Sequence, residues 1–165
     1  MDRLWAGWRS EYIDEVTAGD GSRTSVFRRI LESGLPDDET HIVRRGEQTF
    51  VILNRFPYIS GHVLVMPYRA VSDLEELTPD EHTELWSTVT DAVRAIKTAY
   101  KADGLNIGVN LGTAGGAGVP DHLHVHVMPR WNADSNFMTS VAEARVLPEA
   151  LSVTWRKLRD AWPGR

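Results

Sequence analysis

The sequence predicts an α+β fold, an antiparallel sheet of about five strands packed with one long helix and a C-terminal helix. Three observations carry that expectation. Short β-rich runs separated by turn residues recur from Thr40 to Met128. A single long amphipathic stretch, Pro79 to Lys101, interrupts them. Strands and helix alternate too irregularly for a doubly wound sheet, whereas tight turns between short strands suit antiparallel pairing.

The elements follow in order. Thr17 to Ser25 is polar and glycine-containing and reads as a loop; Val26 to Leu35 reads as a short helix closed by Gly34. Thr40 to Arg44 and Thr49 to Leu53 form a strand pair across the turn Arg45-Gly46-Glu47-Gln48. His62 to Pro67 is a third, largely buried strand ended by its proline. Thr78 then offers an N-cap, Pro79 the first helical position and Glu81 the third residue of a capping box. Leu85, Val89, Ala92, Val93, Ile96 and Tyr100 recur at helical spacing, which is core packing and not a cofactor site. Asp103-Gly104 stops this helix, and Asn106 to Leu111 returns as a strand. A last helix, Pro148 to Trp162, carries Leu151, Trp155, Leu158 and Trp162 on one side, to cover the sheet or a partner subunit.

Composition narrows the function. At 165 residues the chain reads as one domain, residues 1–165, with a core at about 40–131 and extensions at both ends. It has no cysteine, which excludes disulfides and thiolate metal sites. No apolar run approaches the roughly 18 residues of a membrane span, so a cytoplasmic protein without a membrane partner is expected. A net charge of −5 argues against a nucleic-acid partner, while leaving room for a local pocket for one polyanionic ligand. No P-loop and no Gly-x-Ser-x-Gly elbow is present.

The chemistry concentrates in His122-Leu123-His124-Val125-His126-Val127-Met128, where three of the six histidines occupy alternate positions. On an extended strand they share one face about 6 to 7 Å apart, with Leu123, Val125 and Val127 turned to a core. Imidazole serves as nucleophile, general acid or metal ligand near neutral pH, so such a row is a site candidate. The plain structural alternative is a strand whose histidines are satisfied by hydrogen bonds. Gly112-Thr113-Ala114-Gly115-Gly116-Ala117-Gly118 precedes the row and reads as an anion-binding turn or, more simply, as a flexible connection. Neutral imidazole can attack phosphorus if its second nitrogen is held by an acceptor, and the central His124 is best placed for it. His126 is then positioned to donate to a phosphate or leaving-group oxygen and His122 to orient the network. Backbone donors from Gly116 through Gly118 to Val119 are expected at the equatorial oxygens.

These residues resemble the histidine triad family, whose motif alternates three histidines with apolar residues and ends in two more; the motif is complete here. The resemblance covers Ile42 to Trp131. Asn54-Arg55-Phe56-Pro57-Tyr58-Ile59-Ser60-Gly61-His62-Val63-Leu64-Val65 looks like the nucleotide-binding half of the fragile-histidine-triad branch. Leu4-Trp5-Ala6-Gly7-Trp8-Arg9 and Met128-Pro129-Arg130-Trp131 are similar to a bacterial subgroup that includes diadenosine tetraphosphate phosphorylases.

The resemblance implies nucleotidyl transfer: His124 attacks the α-phosphate of a nucleotide ester or dinucleoside polyphosphate, and the nucleotidyl group passes to water or inorganic phosphate without a cofactor. It implies that Asn54 binds the ribose, that Leu64 walls the base pocket and that His62 supports the site from the adjacent strand. Asn110 matches a phosphate-side asparagine if the loop holds one extra residue; otherwise Leu111 takes that position. Trp131 is either a ligand residue or a core or dimer contact. The family forms homodimers around the long helix and an adjoining strand; a homodimer is therefore expected, a tetramer is left open, and Trp5, Trp8, Trp155 and Trp162 are candidates to extend the interface.

Two departures bear on chemistry. Many bacterial members carry Cys-x-x-Cys and bind a structural zinc with two histidines, whereas Ser25-Val26-Phe27-Arg28 stands here, so no such metal is expected. Many hydrolases carry a polar pair such as Gln-Ser ahead of the triad, where this chain has Gly118-Val119, which puts water-driven hydrolysis in doubt. The leading expectation is cleavage of a dinucleoside polyphosphate, most of all diadenosine tetraphosphate, by phosphorolysis or hydrolysis. Hydrolysis of a nucleoside phosphoramidate or adenylate, a histidine-held metal site, and a nucleotide-binding module with little turnover are the alternatives.

Overall fold

The computed structural model describes residues 25–132, 134 and 149–164. The expected loop before Ser25, the Trp5 and Trp8 segment and Pro148 lie outside the described residues. Helix α1 (Val26–Glu32) and a single turn α2 (Asp37–Thr40) lead into strands β1 (Ile42–Arg45), β2 (Thr49–Leu53) and β3 (Val63–Pro67). A 3-10 turn (Leu74–Glu76), the long α3 (Pro79–Tyr100), β4 (Gly104–Val109), β5 (Val125–Arg130) and α4 (Leu151–Asp160) follow. The five strands form one sheet in the order β1-β2-β3-β5-β4, every neighbouring pair antiparallel.

Burial on both faces explains why β2 and β3 read as continuous apolar runs. One face presents Val51, Leu53, Val63, Val65, Val125 and Val127 to Leu85, Val89, Ala92, Ala95 and Ile96 of α3 and to Leu158 and Trp162 at the α4 end. The other presents Phe50, Ile52, Leu64 and Met66 to Phe27 of α1 and to Val119. Ordinary strand alternation puts Ile42 of β1 on the α1 side and Val43 on the α3 side, and a bulge between Ile42 and Arg44 shifts the register against β2.

α3 begins where the capping box expects it: Thr78 Oγ1 accepts from the Glu81 amide at 3.2 Å, and Glu81 Oε2 accepts from the Thr78 amide at 2.8 Å. Arg69 also grips Glu81, and this hydrogen-bonded pairing holds the carboxyl down at about 2. Farther along α3, Glu84 accepts hydrogen bonds from the Gln48 and Thr49 amides and the Thr49 hydroxyl, fastening the helix to the β1–β2 turn.

Several boundaries differ from expectation. Thr40 belongs to α2 and His41 turns the chain in the left-handed region (φ 59°), so the first strand starts at Ile42. The fourth strand runs Gly104–Val109, leaving Asn110 and Leu111 outside the ladder. The histidine strand starts at Val125, not His122: the Pro67 carbonyl, which would continue the β3 ladder, accepts from the His122 ring, and the Leu123 amide bonds Val71 instead. The alternation nevertheless persists, with Leu123, Val125 and Val127 in the core. α4 covers the sheet within the chain: Trp162 is buried and Trp155 Nε1 donates to the Ile42 carbonyl at 2.8 Å, so these two rings serve this packing.

Candidate active site

All three histidines of the row are buried, on the sheet face that α1 covers. The extended chain from His122 to His126 sets them side by side, with the His124 and His126 ring centroids 5.0 Å apart, closer than strand spacing alone suggests. Phe27 of α1 packs edge-on against His122 (5.4 Å) and tilted against His124 (5.7 Å).

Hydrogen-bond partners fix the tautomers. The His122 carbonyl accepts only, so the 2.7 Å contact from His124 Nδ1 requires a proton there and leaves Nε2 with its lone pair. Burial lowers the His124 pKa below 6.5, so the ring is neutral at pH 7. In β3, His62 Nδ1 accepts the Tyr58 amide (3.2 Å) and faces the Asn54 side-chain amide (3.4 Å), so its proton sits on Nε2. That nitrogen lies 2.9 Å from His126 Nδ1, which must accept; the His126 proton is consequently on Nε2. Burial, then the neighbouring imidazoles His126 and His124, push the His62 pKa down to about 3, which secures the neutral donor form.

The first histidine spends both ring nitrogens on the protein. His122 Nε2 donates to the Pro67 carbonyl at 2.8 Å and Nδ1 meets Ser25 Oγ at 2.9 Å; burial is the main cause lowering its pKa. Among the described residues, no group of three or more His, Asp or Glu side chains is arranged to hold a metal ion.

A narrow pocket over the row is lined by Phe27, Asn54, Phe56, Tyr58, Leu64, Asn110, Gly116, Gly118, His124 and His126. Asn54 and Leu64 also line a wider groove of about 610 Å³ along α1, with Val26, Ile30, Ile52 and Leu53 as apolar wall and Arg29, Arg55 and Glu39 at its polar parts. That volume falls in the range of small-molecule sites.

Most of the expected residues therefore meet here, with four differences. His62 sits behind His126 and does not line the pocket. Trp131 is not brought to it; its ring packs edge-on against Tyr100 of α3. The glycine turn presents fewer free donors than expected, because the Gly116 amide bonds Thr113 and the Ala117 amide bonds Gly112 within the turn. Val119, expected to offer its backbone amide, does not line the pocket, and its side chain is turned into the core. Of the two alternatives for the phosphate-side position, Asn110 lines the pocket and reaches the Gly116 carbonyl (3.4 Å), while Leu111 is exposed. The sequence reading missed Phe27, Phe56, Tyr58 and Ser25. Aromatic residues inside Asn54–Gly61 were the available signal for two of them; nothing in the spacing links α1 to the row.

A five-stranded antiparallel sheet with this histidine row defines the class. The chain belongs to the histidine triad family: the HIT domain profile matches residues 36–133. Over 98% of its length it is 40% identical to the AP-4-A phosphorylase of Mycobacterium tuberculosis, covering 85% of that protein. It is 39% identical to the asymmetrical bis(5'-nucleosyl)-tetraphosphatase of Schizosaccharomyces pombe over 58% of this chain and 52% of that one. Among solved structures, a zinc-bound histidine triad family protein from Mycobacterium smegmatis superposes with a TM-score of 0.69 at 29% identity, over 86% of this chain and 94% of that one. A hypothetical histidine triad nucleotide-binding protein from Sulfolobus tokodaii gives 0.67 at 30% identity, over 82% and 89%.

Proposed function

We propose that this protein is an enzyme that cleaves dinucleoside polyphosphates, with diadenosine tetraphosphate as substrate and inorganic phosphate as the preferred acceptor. The observation that carries the chemistry is the His124 Nδ1–H bond to the His122 carbonyl, which leaves a neutral Nε2 lone pair in a pocket shared with Asn54 and Leu64. In the first displacement His124 Nε2 bonds to the α-phosphorus, and the bond to the bridging oxygen breaks. His126 Nε2–H donates a hydrogen bond to the bridging oxygen and stabilises the charge that ATP carries away, keeping its proton. In the second, a phosphate oxygen attacks the same phosphorus, the P–N bond breaks, and ADP leaves. Asn54 holds the ribose, Leu64 and the α1 groove take the base, and Asn110, Gly116 and Gly118 line the phosphate side.

Support for phosphate as acceptor comes from similarity to an AP-4-A phosphorylase and from Gly118 and the buried Val119, which put no polar side chain ahead of the row to orient water. The reaction is assigned to the cytoplasm; among the described residues no helix is long and apolar enough to cross a membrane. A homodimer joins two sheets at β4. This edge strand exposes Ile107 (47%) and leads to the exposed Leu111, and Trp86 of α3 is exposed as well.

The test is chromatography of products from diadenosine tetraphosphate with and without phosphate. ADP plus ATP only with phosphate is the expected result, and AMP plus ATP without it makes the enzyme an asymmetrical hydrolase. No cleavage in either case overturns the reading in favour of phosphoramidate or adenylate hydrolysis or of a binding module. His124→Ala is expected to abolish turnover and spare AMP binding.

A further inference from the structure

Ser25 lies 97 residues before His122, yet its hydroxyl is buried and 2.9 Å from His122 Nδ1. The Pro67 carbonyl is an acceptor only, so His122 Nε2 carries the ring proton and Nδ1 of the neutral ring accepts. The serine must therefore donate. Its oxygen in turn accepts from the Phe27 amide at 3.3 Å, which makes Ser25 the N-cap of α1. One hydroxyl thus closes the helix and holds the imidazole. His122 hands this constraint on, because its own carbonyl accepts the Nδ1–H of His124 at 2.7 Å.

We propose that Ser25 is a positioning residue for the nucleophile: its hydroxyl locks the His122 ring between α1 and Pro67, and so fixes the carbonyl that sets the tautomer and aim of His124. This rests on the reading of His124 as nucleophile. Because α1 also walls the nucleoside groove, through Val26, Phe27 and Ile30, the same helix that meets the base anchors the histidine row. The titratable groups facing His122 are His124 and Asp121, so a proton gained by His122 is felt at the nucleophile.

The experiment compares Ser25→Ala, Ser25→Thr and Ser25→Asp in the full-length protein. It combines steady-state kinetics on diadenosine tetraphosphate across pH with side-chain ¹⁵N spectra of the histidines. Loss of one aligning hydrogen bond predicts a fall in kcat of about tenfold in Ser25→Ala, with KM changed less than about twofold. Ser25→Thr, which keeps donor and cap, restores kcat. Ser25→Asp keeps the cap but cannot donate to a neutral Nδ1, so it retains thermal stability while raising the His122 pKa and moving the acidic limb of the pH profile upward. A serine that only capped α1 gives a different result: Ser25→Asp with the wild-type kcat on the alkaline plateau of the profile, which overturns the proposal. If Ser25→Ala does not fold, the Thr and Asp pair decides alone. If wild type itself does not turn over, the nucleophile reading fails, and the ¹⁵N spectra still report separately whether Ser25 holds His122.

Discussion

Tautomers set what each buried imidazole can do. Starting from acceptor-only carbonyls and donor-only amides, the protons fall on His62 Nε2, His126 Nε2, His122 Nε2 and His124 Nδ1. His124 is thereby the one member of the row with its Nε2 open to attack. His62 acts only through His126, so replacing it tests the relay. His62→Phe is expected to lower kcat by about tenfold to a hundredfold, the scale of misaligning one hydrogen bond to the charge on the leaving group. His62→Gln, whose amide nitrogen can still donate, is expected to recover part of it. Steady-state kinetics on diadenosine tetraphosphate decide between relay and mere packing, since packing favours Phe over Gln.

One turn beside this chemistry and one far from it each depend on a glycine or a carboxylate in a tight space. In the glycine turn, a Cβ at Gly115 would lie 2.3 Å from the Leu111 carbonyl oxygen, a backbone atom that cannot move without opening the turn. Gly115→Ala is therefore expected to raise KM and lower kcat, by shifting Gly116 and Gly118, with little change in the thermal midpoint. At the opposite end, Glu84 satisfies the Gln48 and Thr49 amides and the Thr49 hydroxyl. Glu84→Ala should cost about 1–3 kcal/mol in denaturant unfolding, because part-buried donors lose their acceptor, while leaving KM unchanged.

Buried neutral histidines make the whole molecule acid-sensitive. His62, His122 and His124 have folded pKa values below 6.5, so the unfolded chain binds more protons. Their stabilisation is complete above about pH 6.5 and is lost as pH falls toward the folded values, each with a slope of at most about 1.4 kcal/mol per pH unit. Glu81, held down at about 2, and Glu149, also lowered, add to the loss in the same direction, beginning near the ordinary carboxylate range. Thermal unfolding is expected to show a lower midpoint at pH 5 than at pH 7.5, with a flatter dependence in His62→Phe. The proposed dimer belongs to this scale too. Ile107→Glu, on the exposed edge strand, is expected to give a monomer in analytical ultracentrifugation.

What the sequence determined by itself is whatever periodicity and local chemistry encode. Period-two alternation at 122–128 separates imidazoles from core valines, the Thr78–Glu81 box starts α3, and the stripe from Leu85 to Ile96 finds the sheet. Those signals act over a few residues, so they can be read without a structure. The four-residue α2 is too short to show a period, and it was invisible for that reason. Only tertiary structure decided where β5 begins, because the competitor for the Pro67 carbonyl is a side chain from another segment. Tertiary structure also turned Trp131 onto Tyr100, spent the Gly116 and Ala117 amides inside their turn, and brought Ser25 to His122. Each of these depends on partners distant in sequence or on backbone geometry, and residue spacing carries no information about which donor will meet which acceptor once the chain has closed on itself.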